Sequence, residues 1–192
     1  MKKLLPLILL ILIGCSEPEP INIDNLRYHK SNNMYYDGYE PYTGPVFSLD
    51  KNDNIYYKGT LKNGQFEGNF EFFENGKSLG GGFYQKGFKE GEWISYYENG
   101  IIVNEESYLN GKLHGVKRWY YDNGQLIEES FFSYGEEIDG PTKSYHRNGQ
   151  LQSEGTIRNG KLHGIFKSYD QNGKLISEEI FKNGKKSLFK QY

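Results

Sequence analysis

The turn glycines of this chain recur in an alternating rhythm that few folds can accommodate. From Gly64 to Gly184, eleven of them are separated by steps of 12, 11, 13, 11, 13, 11, 14, 11, 13 and 11 residues. Nine of the eleven are preceded by asparagine, and Asn-Gly between alternating apolar runs is the strongest short-range signal for a β-hairpin. A period near 24 residues that contains two turns therefore predicts a repeat of two strands, each about eight residues long.

Six such repeats can be delimited in the second part of the sequence. They are Gly44–Glu67, Gly68–Glu90, Gly91–His114, Gly115–Asp139, Gly140–His163 and Gly164–Ser187. Residues 44–192 are interpreted as the repeat array, and residues 25–43 as a degenerate N-terminal cap. The chain contains no alanine but 17 tyrosines and 12 phenylalanines, a composition that favours strands over helices. The predicted fold is all-β, an elongated single-layer antiparallel β-meander of stacked hairpins.

Charges at one repeat position support this register. If the Asn-Gly pairs form two-residue loops, three cation–carboxylate pairs face each other across successive hairpins. These pairs are Arg118 with Glu129, Lys143 with Glu154, and Lys167 with Glu178. Opposite charges across a rung stabilise a sheet by roughly 0.2–1 kcal/mol each. Charge pairing therefore explains the recurring glutamates (Glu105, Glu129, Glu154 and Glu178) better than an acidic ladder for cations or for a basic partner.

The N-terminus reads as a targeting segment. Lys2 and Lys3 precede a ten-residue apolar run, Leu4–Ile13, which fits a signal peptide and is too short to span a bilayer. Leu12-Ile13-Gly14-Cys15 resembles a bacterial lipobox. This predicts a signal peptide over residues 1–14, an acylated Cys15 that holds the chain on a membrane, and a tether over residues 15–24. Ser16 favours the outer membrane if the cell has one. The alternative is an ordinary secretory signal in which the cysteine is incidental.

The sequence shows no arrangement of residues typical of catalysis. The hexapeptide NGKLHG occurs at 110–115 and again at 159–164, two periods apart, so His114 and His163 are predicted to lie in equivalent turns about 19 Å apart and not to share a metal. No cofactor, metal site or small-molecule substrate is expected. The formal charge of −2 gives no reason to expect nucleic acid as a partner. The chain is interpreted as a non-enzymatic protein.

The aromatic side chains are the candidates for binding. Most are expected to form the core between repeats, because each repeat buries its rings against its neighbours. A single-layer sheet leaves some rings partly exposed, and tyrosine and tryptophan are enriched at interfaces. Trp93 and Trp119 lie in equivalent strands of successive repeats and are predicted to contact a partner from an exposed aromatic stripe.

The repeat pattern resembles a known family. GEWISYYENGIIVNEESYLNGKLHG and GIFKSYDQNGKLISEEIFKNGKKS are similar to the MORN-repeat variant of bacterial proteins, and the resemblance covers roughly residues 35–192. The segment Gly80-Gly81-Gly82 departs from the pattern. Many proteins of this kind resemble the YwqK-type antitoxin family, which implies an antitoxin label for this chain.

Two functional hypotheses follow from these observations. The favoured one is a membrane-anchored binding module, antitoxin-like or immunity-like, that binds a partner protein such as a toxin through a face of its repeats. The alternative is a scaffold of the cell envelope that binds glycan or lipid headgroups.

The membrane anchor gives the first testable prediction. Replacing Cys15 with serine removes the thiol that acylation requires, so we expect incorporation of a fatty-acid probe to vanish and soluble or uncleaved precursor to accumulate. Metabolic labelling followed by fractionation measures both. Label that persists on the serine variant would show that Cys15 is not the acylated residue.

Overall fold

The computed structural model of the protein describes residues 18–191. These residues form twenty strands and one short 3-10 turn, Ile23–Asn25. The strands are β1 (Ile21–Asn22), β2 (Arg27–His29), β3 (Met34–Asp37), β4 (Glu40–Pro41), β5 (Gly44–Leu49), β6 (Ile55–Lys62), β7 (Gln65–Phe66), β8 (Gly68–Glu74), β9 (Lys77–Gln85), β10 (Phe88–Tyr96), β11 (Ile102–Leu109), β12 (Lys112–Tyr120), β13 (Leu126–Ser133), β14 (Glu136–Glu137), β15 (Gly140–Tyr145), β16 (Leu151–Arg158), β17 (Lys161–Leu162), β18 (Gly164–Tyr169), β19 (Leu175–Lys182) and β20 (Lys185–Gln191). Within this described range, no helix has the length and apolar character needed to cross a membrane.

The strands from β5 to β20 follow one another in a single antiparallel sheet. Apart from β7, β14 and β17, each strand pairs with the next one along the chain, and the sheet does not close on itself. The two-residue strands β7, β14 and β17 continue the start of the strand that follows each of them, across a local irregularity. The predicted all-β meander of stacked hairpins is confirmed.

The N-terminal end of the sheet is covered by the segment that precedes it. Strand β1 pairs in parallel with β5, and β2, β3 and β4 form a small separate sheet. Ile23 and Leu26 pack with Val46 and Leu61 in a buried cluster. The tether predicted to extend to residue 24 is therefore too long, because Ile21 and Asn22 pair with the sheet and Ile23 is only 4% exposed.

The turns at one end of the sheet, here called the tight-turn end, are two-residue loops. Their first residues all have φ near +50°; they are Asn63, Lys86, Asn110, Tyr134, Asn159 and Asn183. Each is followed by a glycine with positive φ, the combination that type I′ turns require. Asparagine tolerates this left-handed conformation better than most residues, which explains why it recurs here.

The opposite end, here called the wide-turn end, has a two-residue loop at Asn75-Gly76, but four of its loops use a different turn in which asparagine has another role. In the loops with Gly100, Gly124, Gly149 and Gly173, only the glycine has positive φ. The backbone N–H of Tyr121 donates to the carbonyl of Gln125, which leaves three residues in the loop. The expectation of a two-residue loop at every Asn-Gly pair is therefore wrong at these four turns.

A bulge next to each wide turn restores the expected register. Tyr120 faces Leu126, but Trp119 faces Glu128, so Ile127 has no partner across the hairpin. The extra loop residue and the extra bulge residue offset each other. Beyond the bulge, the three predicted pairs are all confirmed: Arg118 with Glu129, Lys143 with Glu154, and Lys167 with Glu178.

Aromatic rings pack on glycines across neighbouring strands in three places. A Cβ atom at Gly59 would lie 2.7 Å from the ring of Phe70, and one at Gly155 would lie 2.7 Å from that of Phe166. At Gly82, the same atom would lie 2.4 Å from the ring of Trp93. Glycine inside a strand often marks such a close approach, so the departure at Gly80–Gly82 provides the space for Trp93.

This packing corrects the expectation for Trp93. Its side chain is only 5% exposed, because the ring lies over Gly82 and contacts Tyr84 at a centroid distance of 5.0 Å. Trp93 belongs to the core between repeats and does not lie on an exposed stripe.

Replacing Gly82 with alanine should destabilise the protein by about 1–3 kcal/mol, because the new methyl group overlaps the Trp93 ring in a packed interior. Gly140→Ala is the matched control: a Cβ atom there has nothing within 4 Å. Urea unfolding followed by tryptophan fluorescence measures both variants. Equal midpoints for the two variants would contradict the packing of Trp93 on Gly82.

Candidate functional site

The two faces of the long sheet differ in chemistry. One face, here called the charged face, carries a continuous row of residues that face each other strand by strand from β11 to β20. In order, the row is Glu105, Arg118, Glu129, Lys143, Glu154, Lys167, Glu178 and Lys190. Acidic and basic residues alternate without interruption. The three pairs expected from the sequence are thus parts of one eight-residue charged row.

Arg118 shows how the row is held together. Its Nε lies 2.6 Å from Oε2 of Glu129, and its Nη1 lies 3.4 Å from Oε2 of Glu105. The hydrogen bond to Glu129 raises the pKa of the Arg118 guanidinium above its ordinary value. All three side chains are about one-third exposed, so screening by solvent limits the energy of each pair. Every charge of the row faces an opposite one, and Arg118 binds the carboxylates on both of its sides.

Tyrosines lie beside the charged row towards the wide-turn end. Tyr120 donates a hydrogen bond of 2.8 Å to Glu105, and Tyr169 donates one of 2.8 Å to Glu154. Burial, together with the bond to Glu105, raises the pKa of Tyr120 to about 12. Both hydroxyl groups are therefore neutral donors at physiological pH, and they bind to carboxylates that already face a cation.

A mostly apolar row lies on the other side of the charged row, two residues nearer the tight-turn end. It consists of Val116, Phe131, Pro141, Thr156, Ile165, Ile180 and Leu188. Phe131, Ile165 and Leu188 are 44%, 53% and 58% exposed. The sequence analysis missed this row, because it searched for aromatic residues only. The signal available in the sequence was an apolar residue at a fixed offset of two from six of the eight charges.

The opposite face, here called the aromatic face, contains a polar cluster near its centre. Glu106 binds Lys117 at 2.9 Å and accepts a hydrogen bond of 2.7 Å from Tyr108. The Lys89 ammonium lies 4.1 Å from the ring centroid of Trp93 and 4.8 Å from that of Tyr108. Burial lowers the pKa of Lys89, whereas the bonds from Lys117 and Tyr108 outweigh burial and lower the pKa of Glu106.

The polar groups of this cluster bind one another. A cavity of about 200 Å³ lies beside it, lined in part by Lys89, Ser95, Asn104 and Glu106. Ser95 donates to the side chain of Asn104, Glu106 binds Lys117, and Lys89 lies against two rings. Such mutual satisfaction is typical of a structural network and gives no indication of a group poised to attack a substrate.

Trp119 lies next to this cluster and is only partly buried. It faces Asn104 on one side and Glu128 on the other, and the Lys117 ammonium lies 5.1 Å from its ring centroid. Of the two tryptophans singled out from the sequence, only Trp119 has surface available to a partner. The contact that we expect it to make remains a prediction.

His114, in the first copy of NGKLHG, lies at the tight-turn end and forms a hydrogen bond with the following turn. At five tight turns, the residue just before the glycine that opens a repeat accepts a hydrogen bond from the backbone of the turn that follows. The acceptors are Thr43, Glu67, Glu90, His114 and Asp139, and their donors are the N–H groups of Asn63, Lys86, Asn110, Tyr134 and Asn159. The equivalent atom in the second copy of the hexapeptide, Nδ1 of His163, is buried and has no hydrogen-bond partner among the described residues. Within residues 18–191, no cluster of three or more histidine, cysteine or acidic side chains is placed to hold a metal. The hexapeptide NGKLHG thus places a hydrogen-bond acceptor in His114 beside the following turn.

Side chains also connect neighbouring repeats at the wide-turn end. The amide groups of Asn99, Asn123 and Asn148 donate to the carbonyls of Asp122, Arg147 and Gln171 in the next turn, at 2.7–3.0 Å. Tyr97 and Tyr121 donate from their hydroxyls to the next repeat, and His146 contacts the carbonyl of Tyr169 at 2.8 Å from the same position. Asparagine is useful at this end for its side-chain amide rather than for its backbone.

Comparison with known families agrees with these boundaries. Four segments match the family described as MORN repeat variant: residues 89–110, 113–134, 138–159 and 162–183. Each match ends at the first residue of a tight turn, so the four matches follow the phase of the hairpins. No curated protein matches the chain.

The acceptors at the tight-turn end can be tested at Glu90, whose Oε2 lies 2.8 Å from the backbone nitrogen of Asn110. Glu90→Ala should lower the free energy of unfolding by about 0.5–1.5 kcal/mol, because it removes the acceptor. Glu90→Gln keeps an acceptor oxygen and should remain close to the wild type. Chemical unfolding compares the two variants, and an equal loss for both would show that the charge matters rather than the accepted bond.

Proposed function

We propose that this chain, four of whose repeats match the MORN repeat variant, is a membrane-anchored, non-enzymatic binding module that holds a partner protein on its aromatic face around Trp119. The observation that carries the proposal is the combination of a rigid, open sheet with polar groups that already bind one another. Such a surface offers shape and apolar area rather than reactive groups.

A protein partner fits this surface better than a small ligand. The cavity beside the polar cluster has a volume of about 200 Å³, whereas pockets for small molecules usually measure about 300–1,000 Å³. A partner that covered several strands would instead gain from many contacts around one anchor. A tryptophan on a rigid strand is a good anchor, because it loses little conformational entropy when it binds.

The place of action follows from the lipobox resemblance at Cys15. Cys15 lies outside the described residues, so this part of the proposal rests on the sequence. The first strand of the domain begins at Ile21, six residues after Cys15. A linker of that length reaches at most about 20 Å, so the sheet would remain close to the membrane surface, in the outer membrane if the cell has one.

The resemblance to YwqK-type antitoxins suggests an antitoxin-like or immunity-like role in which the partner is a toxin. Neutralising a toxin requires only that the module cover the toxin's active site or its binding surface. That requirement suits a sheet without reactive groups of its own. The alternative role is that of an envelope scaffold that binds glycan or lipid headgroups.

The test is capture of partners from the organism's own membranes by the acylated protein, with the bound proteins identified. Trp119→Ala should reduce capture at least tenfold, since an anchor of this kind contributes about 2 kcal/mol or more. Tyr39→Ala is the control, because Tyr39 is 88% exposed and lies in the cap. Thermal unfolding should show that both variants remain folded.

Unchanged capture by a folded Trp119→Ala variant would overturn the role of Trp119. Retention of the protein on immobilised polysaccharide or on lipid vesicles, without a protein partner, would favour the scaffold instead.

A further inference from the structure

The row of charges on the charged face is complementary to its own reverse, so that two copies related by a twofold rotation would place opposite charges together. Its row begins with a carboxylate, Glu105, ends with an ammonium, Lys190, and alternates at each of its eight positions. Read backwards, the same row begins with a cation and ends with an anion. We propose that the charged face is an interface between two copies of this chain, related by a twofold axis parallel to the strands between β15 and β16.

This symmetry places opposite charges together along the whole row. Strand β15 then faces β16 of the second copy, β13 faces β18, β12 faces β19, and β11 faces β20. Lys143 meets Glu154, Glu129 meets Lys167, and Arg118 meets Glu178. A row with an odd number of charges, or two rows aligned in the same direction, would place like charges against each other, which is unfavourable.

The neighbouring apolar row is consistent with the same axis. Rotation about an axis along the strands keeps the tight-turn end of one copy beside that of the other, so the apolar row faces an apolar row. Phe131 then meets Ile165, and Val116 meets Ile180. Phe131 and Ile165 are 44% and 53% exposed, so both have apolar surface to bury. The twofold contact is self-complementary in charge and in polarity, as a symmetric dimer requires.

The area is sufficient for a stable dimer. Eight strands at about 4.8 Å and three rows about 7 Å apart give an upper value of about 800 Å² per copy, which equals the area per partner in typical specific interfaces. Stacked sheets cross at about 30° because of their twist. Contact is therefore closest at β13–β18 and decreases towards β11 and β20.

The charges do not prevent burial, because each one faces an opposite charge on a neighbouring strand of the same sheet. Arg118 already lies between Glu105 and Glu129, and Tyr120 and Tyr169 donate to the carboxylates of Glu105 and Glu154. Burying an unpaired charge would be very costly, whereas each charge in this row gains a second opposite charge from the other copy. A foreign partner would need to supply the same alternation at the same spacing, and a second copy supplies it automatically.

Paired cysteines test the geometry directly. In the full chain with Cys15→Ser, Phe131→Cys and Ile165→Cys are combined, and the purified protein is oxidised mildly in detergent. Within one chain these positions lie three strand spacings apart, about 14 Å, which exceeds the reach of a disulfide of about 7 Å between Cα atoms. We expect a disulfide-linked dimer on a non-reducing gel.

The matched control pairs Phe131→Cys with Leu188→Cys, which lies in the same apolar row and is also exposed. In the proposed dimer, β13 faces β18 and β20 faces β11, so this pair should give at least tenfold less dimer. Absence of dimer with the first pair, or equal dimer with both pairs, would overturn the proposal.

A second measurement does not depend on cysteine chemistry. Sedimentation of the wild-type protein in detergent should show a dimer, and Ile165→Asp should shift it to a monomer with little change in the unfolding midpoint. Phe88→Asp is the control, because Phe88 is 53% exposed but lies outside the apolar row. A wild-type monomer, or a dimer that persists in Ile165→Asp, would contradict the interface.

Discussion

Hydrogen bonds between successive turns hold the repeats of this protein together, and the rest of the sheet depends on them. At the tight-turn end, the Gly111 N–H donates to the carbonyl of Lys89, and the Gly135 N–H donates to that of Leu113. The residue before each of these glycines donates to a side chain of the preceding repeat. The turns at Gly64, Gly87, Gly111 and Gly135 are thus bonded to the preceding repeat, or in the case of Gly64 to the cap, through the backbone and through one side chain.

Because both ends of the sheet are fixed in this way, the side chains between them are free to vary. At one position of the aromatic face, successive hairpins pair Gly59 with Phe70 and Gly82 with Trp93. In the next hairpin, the same position holds the ion pair of Glu106 and Lys117. An aromatic ring on glycine and a salt bridge fill the same space by different means. The turns and the ladder are therefore common to all these hairpins, whereas the side chains packed between them differ from one hairpin to the next.

The two faces have different consequences for function. The aromatic face is buried at the N-terminal end of the sheet and opens towards Trp119, where we place a partner protein. The charged face is neutral along its row, rigid and bordered by exposed apolar residues, where we place a second copy of the chain. The two interfaces do not compete, because they use opposite sides of one layer. A dimer would carry two aromatic faces turned away from each other, which would allow it to hold two partners.

The sequence alone determined the period, the number of hairpins and the pairs Arg118–Glu129, Lys143–Glu154 and Lys167–Glu178, because these follow from turn spacing and from the two-residue alternation of strands. It did not reveal that Asn-Gly forms two kinds of turn, since the dipeptide is the same and the loops differ only in length, in the φ of the asparagine and in their hydrogen bonds to adjacent repeats. It also misjudged Trp93, because exposure depends on what lies opposite. Gly82 is eleven residues away in sequence, and it leaves space for the Trp93 ring only because β9 pairs with β10. The role of His114 as an acceptor and the continuity of the charged row likewise depend on contacts between repeats, which the tertiary structure alone decides.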